Sequence, residues 1–149
     1  MPHWSISEAV YFVTFRIMAG VLSFDELDIV FDHIIAGNGR FYLLISLVPM
    51  PDHGHIIFRS FPRYSLHRVM KGVKGVSSHL VNRLRGTTGT IWQDESYDRI
   101  VRNDDELYEK VQYLFFNPVK KELAVNPEEY PFWYYDDPWN ENVPSGERG

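Results

Sequence analysis

The sequence predicts an α+β fold, a two-layer α/β sandwich with a mainly antiparallel sheet and helices on one face. Three observations predict it. Strand-like and helix-like stretches alternate along the chain. The apolar spacing switches between continuous β-branched runs and a helical period. The chain has 149 residues, 44% of them hydrophobic, which is one domain's worth and enough for a core without a disulfide or zinc staple.

Each element has a local reason. Val10 to Arg16 is β-branched and aromatic and reads as a strand. Phe24, Leu27, Val30, Phe31 and Ile34 recur at helical spacing, with Ser23 as N-cap and Glu26 at the capping-box position. Gly37-Asn38-Gly39 ends that helix. Phe41 to Val48 is a continuous apolar run, a strand buried on both faces. Pro49 to Asp52 interrupts it, and His53 to Phe58 resumes an extended pattern. Pro62 to Tyr64 makes a turn, after which Ser65 caps a basic helix reaching about Leu84. Gly86 to Gly89 is a loop, and Ile91-Trp92-Gln93 reads as a short strand. Asn103 or Asp104 starts a last helix, which Pro118 is expected to end near Phe116. The order β, α, β–β, α, short β, α is ferredoxin-like. Residues 1–139 read as a single domain and 140–149 as a disordered acidic tail.

Composition narrows the function classes. With no cysteine, thiol nucleophiles, disulfide scaffolds and Cys-ligated metals are excluded. No apolar run approaches the roughly 18 residues of a membrane span, and Met1 to Ser5 lacks the basic start of a signal peptide. A soluble cytoplasmic protein is expected, with no membrane partner. The net charge of −5 argues against a nucleic-acid binder, but its distribution argues otherwise. From Ile56 to Gln93 there is no acidic residue, while Arg59, Arg63, Arg68, Lys71, Lys74, Arg83 and Arg85 give that stretch a charge of +7 and leave −12 to the rest. Local potential, not the net value, decides what docks on a surface. A merely solvated basic helix face fits the stretch equally well.

Three groups of residues could carry chemistry. His53-Gly54-His55 lies on an expected strand, where residues two apart point the same way, roughly 6–7 Å apart. Two imidazoles there can converge on a divalent cation, although one such pattern alone is not specific. Gly54 leaves the reverse face small, open to close packing by a helix. Tyr113 and Asn117 sit four apart on the last helix and so share a face, away from the Leu107, Val111 and Leu114 stripe. On helix geometry alone they read as a boundary tyrosine and a C-terminal asparagine satisfying helix-end carbonyls. Trp92, Arg99 and Arg102 flank a charged loop and could stack a base and grip phosphate. A packed indole beside a salt-bridged turn fits that segment too.

Taken together, these motifs resemble a known family. Met50-Pro51-Asp52-His53-Gly54-His55 resembles the HUH motif of single-tyrosine transposases. Tyr113 with Asn117-Pro118-Val119-Lys120 is similar to the signature of the branch associated with repetitive extragenic palindromes, REP elements. Tyr11 to Arg16, the segment Trp92-Gln93, Asp98-Arg99 and Arg102, and Pro127 to Pro131 resemble further family motifs, in the family's order, over residues 8–133. The resemblance implies a metal-dependent endonuclease and strand transferase on single-stranded hairpin or palindromic DNA. His53, His55 and Asn117 would bind Mg²⁺ or Mn²⁺. Tyr113 would be the nucleophile, forming a 5′-phosphotyrosine and freeing a 3′-OH. The basic stretch, with Trp92, Arg99 and Arg102, would contact the DNA. Relatives work as monomers or as homodimers.

The family usually has a bulky hydrophobic residue where Gly54 stands, and losing it would remove packing behind the histidines. That departure and the acidity of the rest of the chain also fit a non-catalytic hairpin binder derived from a transposase. A phosphodiesterase with paired His-x-Ser/Thr motifs finds no support, because Val69 and Val81 follow His67 and His79 at the required spacing. A structural metal site at His53 and His55 is a further reading.

Overall fold

Strand β1 (Val10–Arg16) pairs antiparallel with β3 (His53–Ser60), and this pair is the centre of a five-stranded sheet. The computed structural model describes residues 9–138. Helix α1 (Phe24–Gly37) follows β1, then come β2 (Tyr42–Met50), β3, helix α2 (Leu66–Arg85), β4 (Tyr97–Val101), helix α3 (Asp104–Lys120), a 3-10 turn (Pro127–Glu129) and β5 (Tyr134–Tyr135). The sheet order is β4-β1-β3-β2-β5, and every neighbouring pair is antiparallel. The first four strands and two helices have the ferredoxin-like order. β5 then extends the free edge of β2. Among the described residues no helix is long and apolar enough to cross a membrane.

The caps form as the sequence dictates. The Ser23 hydroxyl accepts from the Glu26 N–H, and the Glu26 carboxylate accepts from the Ser23 N–H, closing the capping box. Ser65 caps α2, and Gly86 ends it with φ of 72°, a left-handed position that glycine takes without strain.

The two layers of the sandwich are the sheet and the pair α1 and α2, but the third helix departs from the expected one-sided arrangement. Side chains alternate faces along a strand. Phe15 and Gly54 face α2, since the Phe15 ring meets Trp92 edge-on at 4.8 Å and the Trp92 indole N–H donates to Ser77 of α2. Phe12, Thr14, His53 and His55 lie on the other face, and there α3 lays Tyr113 over Phe12 and His55. The helix stripe gives no sign of this, because a stripe fits either face.

Three boundaries also differ from expectation. β2 continues through Pro49 and Met50, because β5 pairs only with Ser46 and Leu47 and beyond them β2 is an edge, where a proline is tolerated. Ile91-Trp92-Gln93 forms no strand but one isolated bridge, Trp92 to Ile17. The edge strand is Tyr97–Val101, disguised by Asp98 and Arg99 in its middle. α3 runs past Phe116 to Lys120. Pro118 gives up only its own helical hydrogen bond so near the end, and Lys121 N–H closes the helix on Asn117 and Val119. The expected tail, 140–149, and Trp139 lie outside the described residues.

Candidate active site

The site begins with the β1–β3 ladder. Thr14 pairs with His55 and Arg16 with His53, so these four side chains share the sheet face beneath α3. Both histidines are 4% exposed, and their rings stand nearly perpendicular with centroids 5.0 Å apart. Each is held at its inner nitrogen. His53 Nδ1 is 2.6 Å from Asp52 Oδ1, and His55 Nδ1 is 2.8 Å from Thr14 Oγ1. A carboxylate accepts only, so the Asp52 contact keeps a proton on His53 Nδ1, and in the neutral ring the lone pair is then on Nε2. His55 Nε2 is buried without a hydrogen-bond partner.

Electrostatics agree with this arrangement. Burial, then the neighbouring His53, Arg16 and Lys121, push His55 down to about 3, so its imidazole is neutral and able to ligate. The hydrogen bond from His53 holds the Asp52 carboxyl below its ordinary value, with Lys121 adding to the effect.

Helix α3 supplies the other two residues. The Tyr113 ring lies 5.5 Å from His55, centroid to centroid, and is 42% exposed. It is therefore packed on the metal-competent histidine yet open to a substrate. Asn117, one turn on, is 2% exposed, and its Oδ1 is buried without a partner. Buried polar atoms are nearly always bonded, so two such orphans on one face, an imidazole nitrogen and an amide oxygen, fit a missing ligand. Among the described residues no three His, Cys, Asp or Glu side chains cluster as a metal site. The third atom that could serve as a donor here is the Asn117 amide oxygen. Imidazole nitrogen and amide oxygen are both donors that a divalent cation accepts.

The residues expected to touch DNA divide. Trp92 is 1% exposed, donates its N–H to Ser77 and meets the Phe15 ring edge-on. It is a core residue with no face for a base. Arg59 is buried. Arg85 grips Glu26 through Nε and Nη2 at 2.5 and 3.0 Å, and Lys74 donates to the carbonyls of Gln93 and Asp94. Arg99 pairs with Glu106. Arg63, Arg68, Lys71, Arg83 and Arg102 remain exposed. Lys71, Lys74 and Arg83, with His67 and His79, line an open groove of about 1100 Å³ along α2, on the side of the sheet away from the histidines.

The sequence reading gave no role to Thr14, Arg16, Lys120 and Lys121. Arg16 follows Thr14 at strand period, and Lys120 follows Tyr113 and Asn117 at helical period. Those spacings were the available signal. Gly54 is explained as well. The expected packing partner was a helix, but the neighbouring strand's Phe15 ring fills the space, 2.7 Å from where a Cβ would stand.

A family model described as "Transposase IS200 like" matches residues 26–113. No curated protein matches the chain. Among solved structures, the chain is similar to a REP-associated tyrosine transposase bound to a REP hairpin, with 17% identity and a TM-score of 0.74 over 97% of this chain and 95% of that one. It is also similar to a candidate transposase from Deinococcus radiodurans R1, with 18% identity and a TM-score of 0.52 over 78% of this chain and 95% of that one. At these identities the structural likenesses speak for the fold.

Proposed function

Because the chain belongs to the IS200-like transposase family, we propose that it is a metal-dependent, single-tyrosine DNA nuclease and strand transferase of the HUH type. Its substrate is single-stranded hairpin DNA in the cytoplasm. The observation that carries this reading is Tyr113, exposed and packed 5.5 Å over His55, on the face where the partnerless His55 Nε2 and Asn117 Oδ1 are buried.

In this reading His53 Nε2, His55 Nε2 and Asn117 Oδ1 hold Mg²⁺ or Mn²⁺. The cation supplies Lewis acidity toward the non-bridging oxygens of the scissile phosphate. Tyr113 Oη attacks the phosphorus. The Oη–P bond forms as the P–O3′ bond breaks, the phenolic proton passes to water, and the 3′ oxygen takes a proton from water. The products are a 5′-phosphotyrosine and a 3′-OH, and reversal by another 3′-OH rejoins strands without a nucleotide cofactor. Asp52 and Thr14 fix the two imidazoles. The exposed cations along α2 hold the DNA backbone.

The test is a covalent-adduct assay with a labelled hairpin library and Mn²⁺ on a denaturing gel. A slow-migrating protein–DNA band, lost in Tyr113→Phe and with EDTA, is expected. Cleavage by Tyr113→Phe at the parent rate refutes the assignment. A native-gel shift without any covalent band favours a non-catalytic hairpin binder. The filling of the Gly54 gap by Phe15 removes one of the two sequence grounds for that alternative.

A further inference from the structure

The cations that line the α2 groove, Lys71, Lys74 and Arg83, lie on the wrong side of the sheet to reach Tyr113. The cations that do surround the tyrosine come from elsewhere in the sequence. Lys120 Nζ lies 5.7 Å from the Tyr113 ring centroid, two helical turns along the same face. Lys121 is next to it and close enough to depress both Asp52 and His55. Arg16 stands opposite His53 at the end of β1, on the face that carries the histidines, and it too acts on His55. All three are exposed. Asp52 is acted on by Lys121, and its Oδ1 is already engaged by His53.

We infer that Arg16, Lys120 and Lys121 form a phosphate cradle beside Tyr113, which binds the scissile phosphodiester and then the 5′-phosphotyrosine. This rests on the nuclease reading above. Cations in fixed positions are most effective where charge develops during reaction. As Oη bonds to phosphorus and the P–O3′ bond breaks, negative charge gathers on the non-bridging oxygens and on the departing 3′ oxygen. Lys120 lies over the Tyr113 ring, 5.7 Å from its centroid. Arg16 comes from the opposite wall and offers a planar fork to two phosphate oxygens. The cradle and the α2 groove thus divide the labour, one gripping the reacting phosphate and the other the rest of the strand.

The test uses the full chain and its Lys120→Gln, Lys121→Gln and Arg16→Gln variants. All three positions are exposed, so unchanged unfolding midpoints check the fold. The first readout is the single-turnover rate of adduct formation at saturating hairpin, beside hairpin affinity. Lys120→Gln is expected to slow the adduct about 100-fold while affinity changes little. Adduct formation at the parent rate in all three variants overturns the cradle and leaves the nuclease reading standing. The second readout is independent of turnover: backbone amide shifts during titration with inorganic phosphate. If the parent forms no adduct, the nuclease reading fails. The cradle is then upheld by phosphate-induced shifts at Arg16, Lys120 and Lys121 that vanish in the Lys120→Gln, Lys121→Gln double variant, and it is overturned by their absence from the parent.

Discussion

Thr14 Oγ1 lies 2.8 Å from His55 Nδ1, and both residues are buried beneath α3. When the hydroxyl accepts from Nδ1–H, the lone pair of His55 sits on Nε2, the atom left without a partner. Thr14 thus offers the acceptor that the ligating tautomer of His55 needs. Thr14→Val keeps the shape and removes the acceptor. Mn²⁺ affinity, measured by calorimetry, should fall about 10–100-fold, and Thr14→Ser should restore most of it. Equal affinity in Thr14→Val would refute the role.

Gly54 and Phe15 form a complementary pair across β3 and β1. A Cβ at Gly54 would stand 2.7, 3.0 and 3.2 Å from three atoms of the Phe15 ring. The ring cannot retreat easily, since it is fully buried and set edge-on against Trp92. Gly54→Leu should destabilise the protein by about 1–3 kcal/mol or more through overpacking. Phe15→Ala alone should cost about 3–5 kcal/mol. Combining the two conserves volume and should recover part of the loss. Denaturant midpoints of the three variants check this, and strictly additive losses would contradict the pairing.

Legibility followed the range of the interactions. Ser23 and Glu26 announce α1 because a capping box is local, and His53 with His55 is visible because a strand repeats every two residues. The face that α3 covers is set by packing between residues far apart in sequence, so the Tyr113–His55 contact could not be read from either segment alone. The seven cations between Arg59 and Arg85 are consecutive along the chain but not in space. Arg85 is neutralised by Glu26, 59 positions away, while the cations beside Tyr113 come from β1 and the end of α3. Trp92 was ambiguous for the same reason. Its polar neighbours suggested a surface, and only the distant Phe15 and Ser77 explain its burial.

Trp92→Phe separates a packed indole from a base-stacking one. The packed role predicts a loss of stability as the Ser77 bond disappears, about 1 kcal/mol, with hairpin affinity unchanged. Stacking would instead be worth about 1–3 kcal/mol of binding. Fluorescence anisotropy with a hairpin decides, and a fivefold or greater loss of affinity would reinstate the stacking role.

Glu26 ties α1 to α2 through Arg85, and the pair makes stability depend on acid. The hydrogen bond from Arg85 holds the Glu26 carboxyl below its ordinary 4.5. A carboxyl depressed on folding contributes stability that is present above its unfolded value and lost as pH falls through the folded one. The contribution should therefore disappear below pH 4.5. Arg85→Gln removes the cause, so the variant should be less stable at neutral pH and should show a shallower acid limb between about pH 5 and 2. Circular dichroism across that range tests it. An unchanged acid limb would mean that the contact contributes nothing, and Arg85 would then be available to DNA.

Asn117 offers a test of the metal site that needs no catalysis. Its Oδ1 is buried without a partner, a position that a carboxylate would occupy only at high cost unless a cation neutralised it. Asn117→Asp should therefore lower stability in EDTA. In Mn²⁺ it should gain more than the parent does, because a ligand that binds only the folded state stabilises it in proportion to its affinity. Asn117→Leu removes both the orphan and the donor. It should be stable in EDTA and should respond to Mn²⁺ less than the parent. The comparison is the Mn²⁺-induced rise in Tm across the three proteins. The order Asp above Asn above Leu places the amide oxygen on the cation. Equal rises would mean that the histidines bind metal without α3, and Asn117 would then lose its place in the site.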